Sequence, residues 1–215
     1  MTNATFTPFD STNPALPPQP RPAGQPRRPD VERVTALTRE LLIALGEDPD
    51  REGLADTPLR VASWWESFLA PDTAVTATCF PERHLSGQLV VVGEMSVWSL
   101  CEHHMLPMNL QVAAGYLPDG DVVGLSKFGR IAQRLAARLQ VQERFTHQLA
   151  TELTEVIGGA DVAVAVRGTH LCMSMRGVRM EEARTTTVES GGRFLTDPVL
   201  AAQFLAAASA RWGVN

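Results

Sequence analysis

Residues 126 to 157 carry two consecutive amphipathic helix patterns, bracketed on both sides by β-branched runs. In the first, Phe128, Ile131, Ala132, Leu135, Ala136 and Leu139 stand at i, i+3, i+4, i+7, i+8 and i+11, with Ser126 as the expected cap. The second runs from about Glu143 to Ile157 with Phe145, Leu149, Leu153, Val156 and Ile157 inward, and Gly158-Gly159 stops it. Upstream, "QLVVVGEMSVWSL", "QVAAGYLP" and "DVVGL" read as strands, with "PDGD" as a turn; downstream, "DVAVAVR" and "ARTTTVE" do the same. Two apolar stripes between strand pairs predict an α+β chain, an antiparallel sheet covered on one face by helices.

Outside this block the chain reads as a tail and two flanks. Residues 1–29 hold eight of the 15 prolines and no periodicity, so a disordered, partly polyproline-like tail is expected. A helix from Asp30 to Leu45 follows, capped by Asp30, striped by Val34, Leu37, Leu41 and Leu45, and stopped by Gly46. After the polar loop "GEDPDREGLADTP", Thr57-Pro58 opens a second helix, with Thr57 as cap, Val61, Trp65, Phe68 and Leu69 as its apolar face, and Pro71 as its end. Thr196-Asp197-Pro198 starts a last, alanine-rich helix to about Arg211. The expected division is tail 1–29, helical segment 30–71 and main domain 72–215.

Composition narrows the function classes. A net charge of −5 gives no electrostatic support to nucleic-acid binding. No apolar run approaches the roughly 20 residues of a membrane helix, and "MTNATFTPFD" lacks the basic and apolar regions of a secretory signal. Three cysteines form an odd, sparse set, which argues against a disulfide framework and for a reducing, cytoplasmic setting.

The chemistry concentrates in "SLCEHHMLP" and "THLCMSMRG". Cys101 and His104 have a Cys-x-x-His spacing that points two ligands at one ion, and Cys172 is the third candidate. Either cysteine alone reads as a buried small hydrophobe; the combination reads as a metal site. Cys-His-Cys suits Zn2+ and leaves a fourth position for water, the mark of a catalytic zinc. A structural zinc would need a closing fourth ligand, for which His84 or His147 would have to fold in. Cys79, in "TCFPE", reads as structural.

Read as extended chain, 169–176 places His170, Cys172, Ser174 and Arg176 on one face and Leu171, Met173 and Met175 on the other. His170 then stands beside a metal ligand as a general acid or base. His103 reads either as a second proton carrier or as support for the metal shell, and Glu102 as such support or as a substrate contact. In "GLSKFGR", Ser126, Lys127 and Arg130 lie at a helix start, where backbone N–H groups favour an anion. With Arg176 and Arg60 they give four cations on an acidic chain, suited to a polyanionic small ligand such as a triphosphate. No Walker A or G-x-G-x-x-G sequence is present. Glu143, in "VQERFTHQ", reads either as a helix-dipole partner or as an acceptor for a guanine edge.

In order and spacing, "SLCEHHMLP", "GLSKFGR", "QVQERFTHQ" and "HLCMSMRGV", with "GEDPDREGLADTPLRVA" before them, closely resemble the zinc-dependent GTP cyclohydrolase I family over residues 30 to 195. The resemblance implies a tunnelling fold (T-fold) assembled into a toroidal homodecamer with active sites between subunits. It implies conversion of GTP and water to 7,8-dihydroneopterin triphosphate and formate, the first step of folate and pterin synthesis. By motif, Cys101, His104 and Cys172 would bind zinc, and His103 and His170 would transfer protons. Ser126 would sit by the ribose, while Lys127, Arg130, Arg176 and Arg60 would hold the triphosphate, Arg60 from a neighbouring subunit. Glu143 would read the guanine edge, supported by Gln142. The sequence departs from the family at "MNLQVAAG" and at the acidic "RMEEARTTTVES", positions that touch none of the zinc or phosphate residues.

Overall fold

The computed structural model of the protein describes residues 28–70, 87–210 and 212, and the backbone of 79–81. The expectations for residues 1–27, the Cys79 side chain and His84 lie outside the described residues. The helices are α1 (Val31–Ala44), α2 (Thr57–Leu69), α3 (Ser126–Ala136), α4 (Gln142–Ile157), α5 (Leu171–Ser174), α6 (Arg193–Thr196) and α7 (Pro198–Ser209). The strands are β1 (Cys79–Pro81), β2 (Val90–Cys101), β3 (Pro107–Tyr116), β4 (Asp121–Val123), β5 (Leu139–Gln140), β6 (Val162–His170) and β7 (Thr185–Ser190). The main sheet runs β5-β2-β3-β6-β7, antiparallel except for the β2–β5 pair; β1 and β4 form a separate antiparallel pair.

The expected stripes of α3 and α4 do face the sheet. Phe128, Ile131, Leu135, Phe145, Leu149 and Leu153 bury against Val97, Leu110, Val112, Val164 and Val166. Burial of side chains this size contributes about 1.5–3 kcal/mol each. Gly158 ends α4 in the left-handed region at φ 73°, and its N–H donates to Thr154 O at 3.0 Å. The opposite face is also covered. Phe194, Leu200, Phe204 and Ala208 pack there on Ala113, Ala163 and Ala165, whose small side chains let α7 lie close. That is why β6 is buried on both faces.

Some boundaries differ from expectation. Asp30 caps α1 by accepting from Arg33 N at 2.9 Å, as expected, and Asp197 caps α7 by accepting from Val199 N at 2.9 Å and Leu200 N at 3.1 Å. Thr57 does not cap α2. Asp56 holds that place without a side-chain cap bond, because its carboxylate accepts from Arg60 Nη2 at 3.0 Å. Ser126 does not cap α3 either: the chain enters through a tight turn in which Phe128 N donates to Leu125 O, and Leu125 is already helical at the cap position. α3 stops at Ala136, so Leu139 leaves the stripe and pairs with Leu100 in β5. α1 and α2 pack on each other. Yet α1 has no buried residue, and Leu37, Leu41 and Leu45 each expose more than half of their surface.

Candidate active site

One half of the site is the turn that ends β2. Cys101 O accepts from His104 N at 3.3 Å and Met105 N at 2.8 Å, while Cys101 N donates to Leu106 O at 2.8 Å. Met105 takes a left-handed conformation, φ 55°, to close it. This turn sets Cys101 Sγ 3.8 Å from His104 Nδ1, and equally 3.8 Å from His103 Nδ1.

The other half corrects the expected strand. β6 ends at His170, and Leu171–Ser174 form one helical turn, with Met175 N donating to Leu171 O at 3.0 Å and Ser174 Oγ to His170 O at 3.1 Å. The ladder has run out there: β3 pairs with β6 only up to Met108–His170, and β7 only up to Thr185–Gly168. With no strand left to pair with, the backbone turns to local bonds. The alternation of faces over 169–176 therefore does not exist, and Met175 is exposed. The helical turn nevertheless brings Cys172 to the first half.

The ligand atoms of Cys101, His104 and Cys172 all lie within 4.8 Å of one another, and this is the Cys/His/Asp/Glu cluster of metal-holding geometry among the described residues. Tetrahedral Zn–S and Zn–N bonds of about 2.3 and 2.0 Å put neighbouring ligand atoms roughly 3.6 Å apart, close to the 3.8 Å between Cys101 and His104. Burial and the adjoining Cys101 sulfur push the Cys172 thiol up, against the pull of Arg176. A bound cation is what lets Cys172 serve as a thiolate there. His103 is outside the three-ligand set. Arg176 reaches the same centre, its Nη1 donating to His104 Nε2 at 2.7 Å.

Glu102 resolves as a tether. Its backbone N–H donates to Gln140 O at 3.0 Å, and its carboxylate pairs with Arg144. Arg144 also donates from Nε to Gln140 Oε1 at 2.9 Å and from Nη2 to Leu139 O at 3.2 Å. The Arg144 guanidinium holds the Glu102 carboxyl below the usual carboxylate range. The first turn of α4 thus grips the metal-facing turn of β2. Arg144→Met and Glu102→Gln are each expected to weaken metal retention about tenfold in chelator competition, the low end for groups that hold ligands in place. The double variant is expected to be no worse than either; unchanged competition curves would show that the pair does not serve the turn.

His170 is half-buried at the end of β6. Burial pushes its imidazole down from the ordinary range, and the charge of Glu143 opposes this. Its Nε2 lies 2.8 Å from Gln142 Oε1. Gln142 is buried, and its amide nitrogen lies 3.1 Å from Val166 O and from Thr185 O. Glu143, one residue on, is exposed in the first turn of α4. At the start of α3, Ser126 and Arg130 are exposed, but Lys127 is 3% exposed, so the cluster is not one continuous surface patch. Arg60 stands apart, ion-paired with Asp56 on the open face of α2. His147, weighed as a fourth ligand, faces Glu189 at 3.5 Å instead.

Three contributors escaped the sequence reading. Arg144 and Gln140 carried no local signal, since their roles depend on a partner across the sheet. Gly168 did carry one: a glycine inside a strand marks a close approach. A Cβ there would lie 2.0 Å from Gln142 Oε1.

The family profile described as GTP cyclohydrolase I matches residues 34–209. The chain is 48% identical over 171 residues to GTP cyclohydrolase 1 of Corynebacterium glutamicum strain R, covering 77% of this chain and 86% of that one. It is 46% identical over 183 residues to GTP cyclohydrolase 1 of Mycobacterium ulcerans, covering 82% and 89%. It is 40% identical over 200 residues to GTP cyclohydrolase 1 of Deinococcus radiodurans, covering 92% and 93%.

Proposed function

The chain belongs to the GTP cyclohydrolase I family, and on that premise we propose that Cys101, His104 and Cys172 hold a catalytic Zn2+ beside a GTP pocket. As a family member it is an enzyme: it hydrolyses GTP to 7,8-dihydroneopterin triphosphate and formate, opening the pathway to tetrahydrofolate and pterins. The observation that carries the metal assignment is the meeting of three ligands within 4.8 Å beside Arg176, with the half-buried His170 two residues before Cys172. Three ligands leave a fourth position. Zn2+ bound there would supply a Lewis acid and a water with a pKa near 7 for attack at guanine C8.

The chain's own residues do the rest. Glu143 accepts the paired N–H donors of the guanine edge, which sets C8 toward the metal-binding residues. Arg176, Arg130 and Lys127 meet the triphosphate, with Arg176 already beside the ligand set. His170, in its imidazolium form, delivers a proton at guanine N7 as the imidazole ring opens to a formamide, and formate leaves in a second hydrolysis. His103 and Ser126 move protons in opening the ribose before the pterin ring closes. This order follows the family's chemistry and uses two acid–base histidines, with Ser126 assisting, each histidine worth about 10²–10⁴ in rate.

The reading extends to the assembly: a homodecamer with sites between subunits, a tail at 1–29, a helical segment at 30–71 and a catalytic domain at 72–215. The exposed leucines of α1 support burial against other copies. Among the described residues, no helix is long and apolar enough to cross a membrane, and the sparse cysteines support a cytoplasmic location. Arg60, paired with Asp56 away from the ligand set, is assigned to a neighbour's triphosphate site.

This is testable by mixing. Arg60→Ala and Cys172→Ala chains, each inactive alone at low GTP, are expected to regain about a quarter of wild-type turnover when unfolded and reassembled together. Each site then draws its two residues from different chains, and random mixing supplies both intact in half of one half. Recovery of no activity at all would place Arg60 and Cys172 in the same chain's site.

A further inference from the structure

We propose that Gln142 and Gly168 together fix the tautomer and orientation of His170, holding Nε2 as the ring N–H against Gln142 Oε1 and leaving Nδ1 as the nitrogen that meets substrate. The inference rests on the reading of His170 as a proton-transferring residue and adds to it the atom and two positioning residues.

The starting point is the orientation of one amide. Gln142 is 1% exposed, and its side-chain nitrogen lies 3.1 Å from each of Val166 O, Thr185 O and Thr187 Oγ1. Two of these are carbonyls, which only accept, so the atom facing them must be the NH2 group. Turning the amide over would set oxygen against two oxygens in a buried space. The third partner agrees. Thr146 Oγ1 donates to Gln142 O at 2.8 Å, so the 2.6 Å contact between Thr146 and Thr187 takes its hydrogen from Thr187, whose oxygen stays open to the amide.

With the NH2 so placed, Gln142 Oε1 is the atom 2.8 Å from His170 Nε2. That oxygen only accepts, so Nε2 carries the hydrogen. A neutral imidazole has one ring proton, and Nδ1 is therefore bare. Among the described residues no protein group bonds to Nδ1. The Nε2–H bond to Gln142 holds the ring in one orientation, which a proton-transferring residue needs at its other nitrogen.

Gly168 makes room for that bond. It sits inside β6, paired with Leu110 on one side and Thr185 on the other. A Cβ at this position would lie 2.0 Å from Gln142 Oε1, 2.8 Å from His170 Nε2 and 3.0 Å from Leu110 Cδ2. A methyl group would stand in the hydrogen bond itself. The requirement is one of space, since the extended strand backbone admits any residue.

Neutron diffraction of deuterated wild-type crystals tests the tautomer: deuterium on His170 Nε2 is expected, and its absence there overturns the proposal. Kinetics test the positioning. Gly168→Ala and Gln142→Leu are expected to lower kcat about 10²-fold, the low end of what an acid–base group provides, with zinc retained and KM for GTP within about twofold. In a His170→Ala background, Gln142→Leu is expected to cost nothing further in formate release. A purely structural role for Gln142 would cost the same in both backgrounds, and that result, or a wild-type kcat in Gln142→Leu, overturns the proposal. Should Gly168→Ala not fold, Gln142→Leu and the neutron map decide. Full activity in His170→Ala would instead refute the underlying assignment of His170.

Discussion

Replacing Cys172 with alanine is expected to strip the metal from the purified protein and take GTP turnover below detection. The set has three protein ligands, and among the described residues no spare Cys, His, Asp or Glu completes another such group. Binding free energies of roughly 10–16 kcal/mol for structural zinc sites put about 3–4 kcal/mol on each of four ligands, a factor of about 10²–10³ in affinity. The remaining pair is also a poor chelate. Cys101 is buried at the end of β2, while His104 is exposed on a turn and contacted by Arg176. Metal content and formate release, measured on the same preparation, check both parts. A Cys172→Ala protein that keeps its metal would remove Cys172 from the set.

His170→Ala is expected to separate what Cys172→Ala destroys together. Metal content should stay at the wild-type level, because His170 lies outside the three-ligand cluster. The kcat should fall by about 10²–10⁴ with KM for GTP little changed, as for a proton carrier that contributes mainly in the transition state. Folding should weaken as well, since Gln142 Oε1 loses its partner in a buried position. An unpaired buried acceptor costs about 1–3 kcal/mol. Full activity with full metal would exclude the acid–base role; activity lost together with the metal would make His170 a structural support of the site.

The parts of the fold that sequence disclosed are those governed by local rules. The stripes of α3 and α4, the left-handed stop at Gly158 and the Asp30 and Asp197 caps each depend on neighbours within a turn or two. The Cys-x-x-His turn is legible for the same reason. What failed depended on partners far along the chain. "HLCMSMR" has the alternation of a strand, but whether a strand forms was decided by where β3 and β7 stop pairing with β6. Ser126 has the chemistry of a cap, yet the turn entering α3 left the cap position to Leu125. The alanine-rich α7 carries little directional pattern, and its place on the second face follows from Ala113, Ala163 and Ala165 offering a shallow surface. The Glu102–Arg144 pair joins residues 42 apart, beyond any spacing rule.

The site divides in the same way. The Cys101, His104 and Cys172 group was readable, because a Cys-x-x-His spacing with a further cysteine is a local signal. Its supports were not. The contacts of Gln142 with Val166 O and Thr185 O join residues 24 and 43 apart, beyond any spacing rule.

Cys101, His104 and Cys172 would hold one Zn2+, which would supply the water for GTP hydrolysis. This is tested most directly by measuring zinc content and GTP turnover on the same sample of the full-length protein. The expected result is one zinc per chain, with one formate released for each GTP consumed and a fluorescent pterin recovered after oxidation. Stoichiometric zinc with neither formate nor pterin formed from GTP would contradict it.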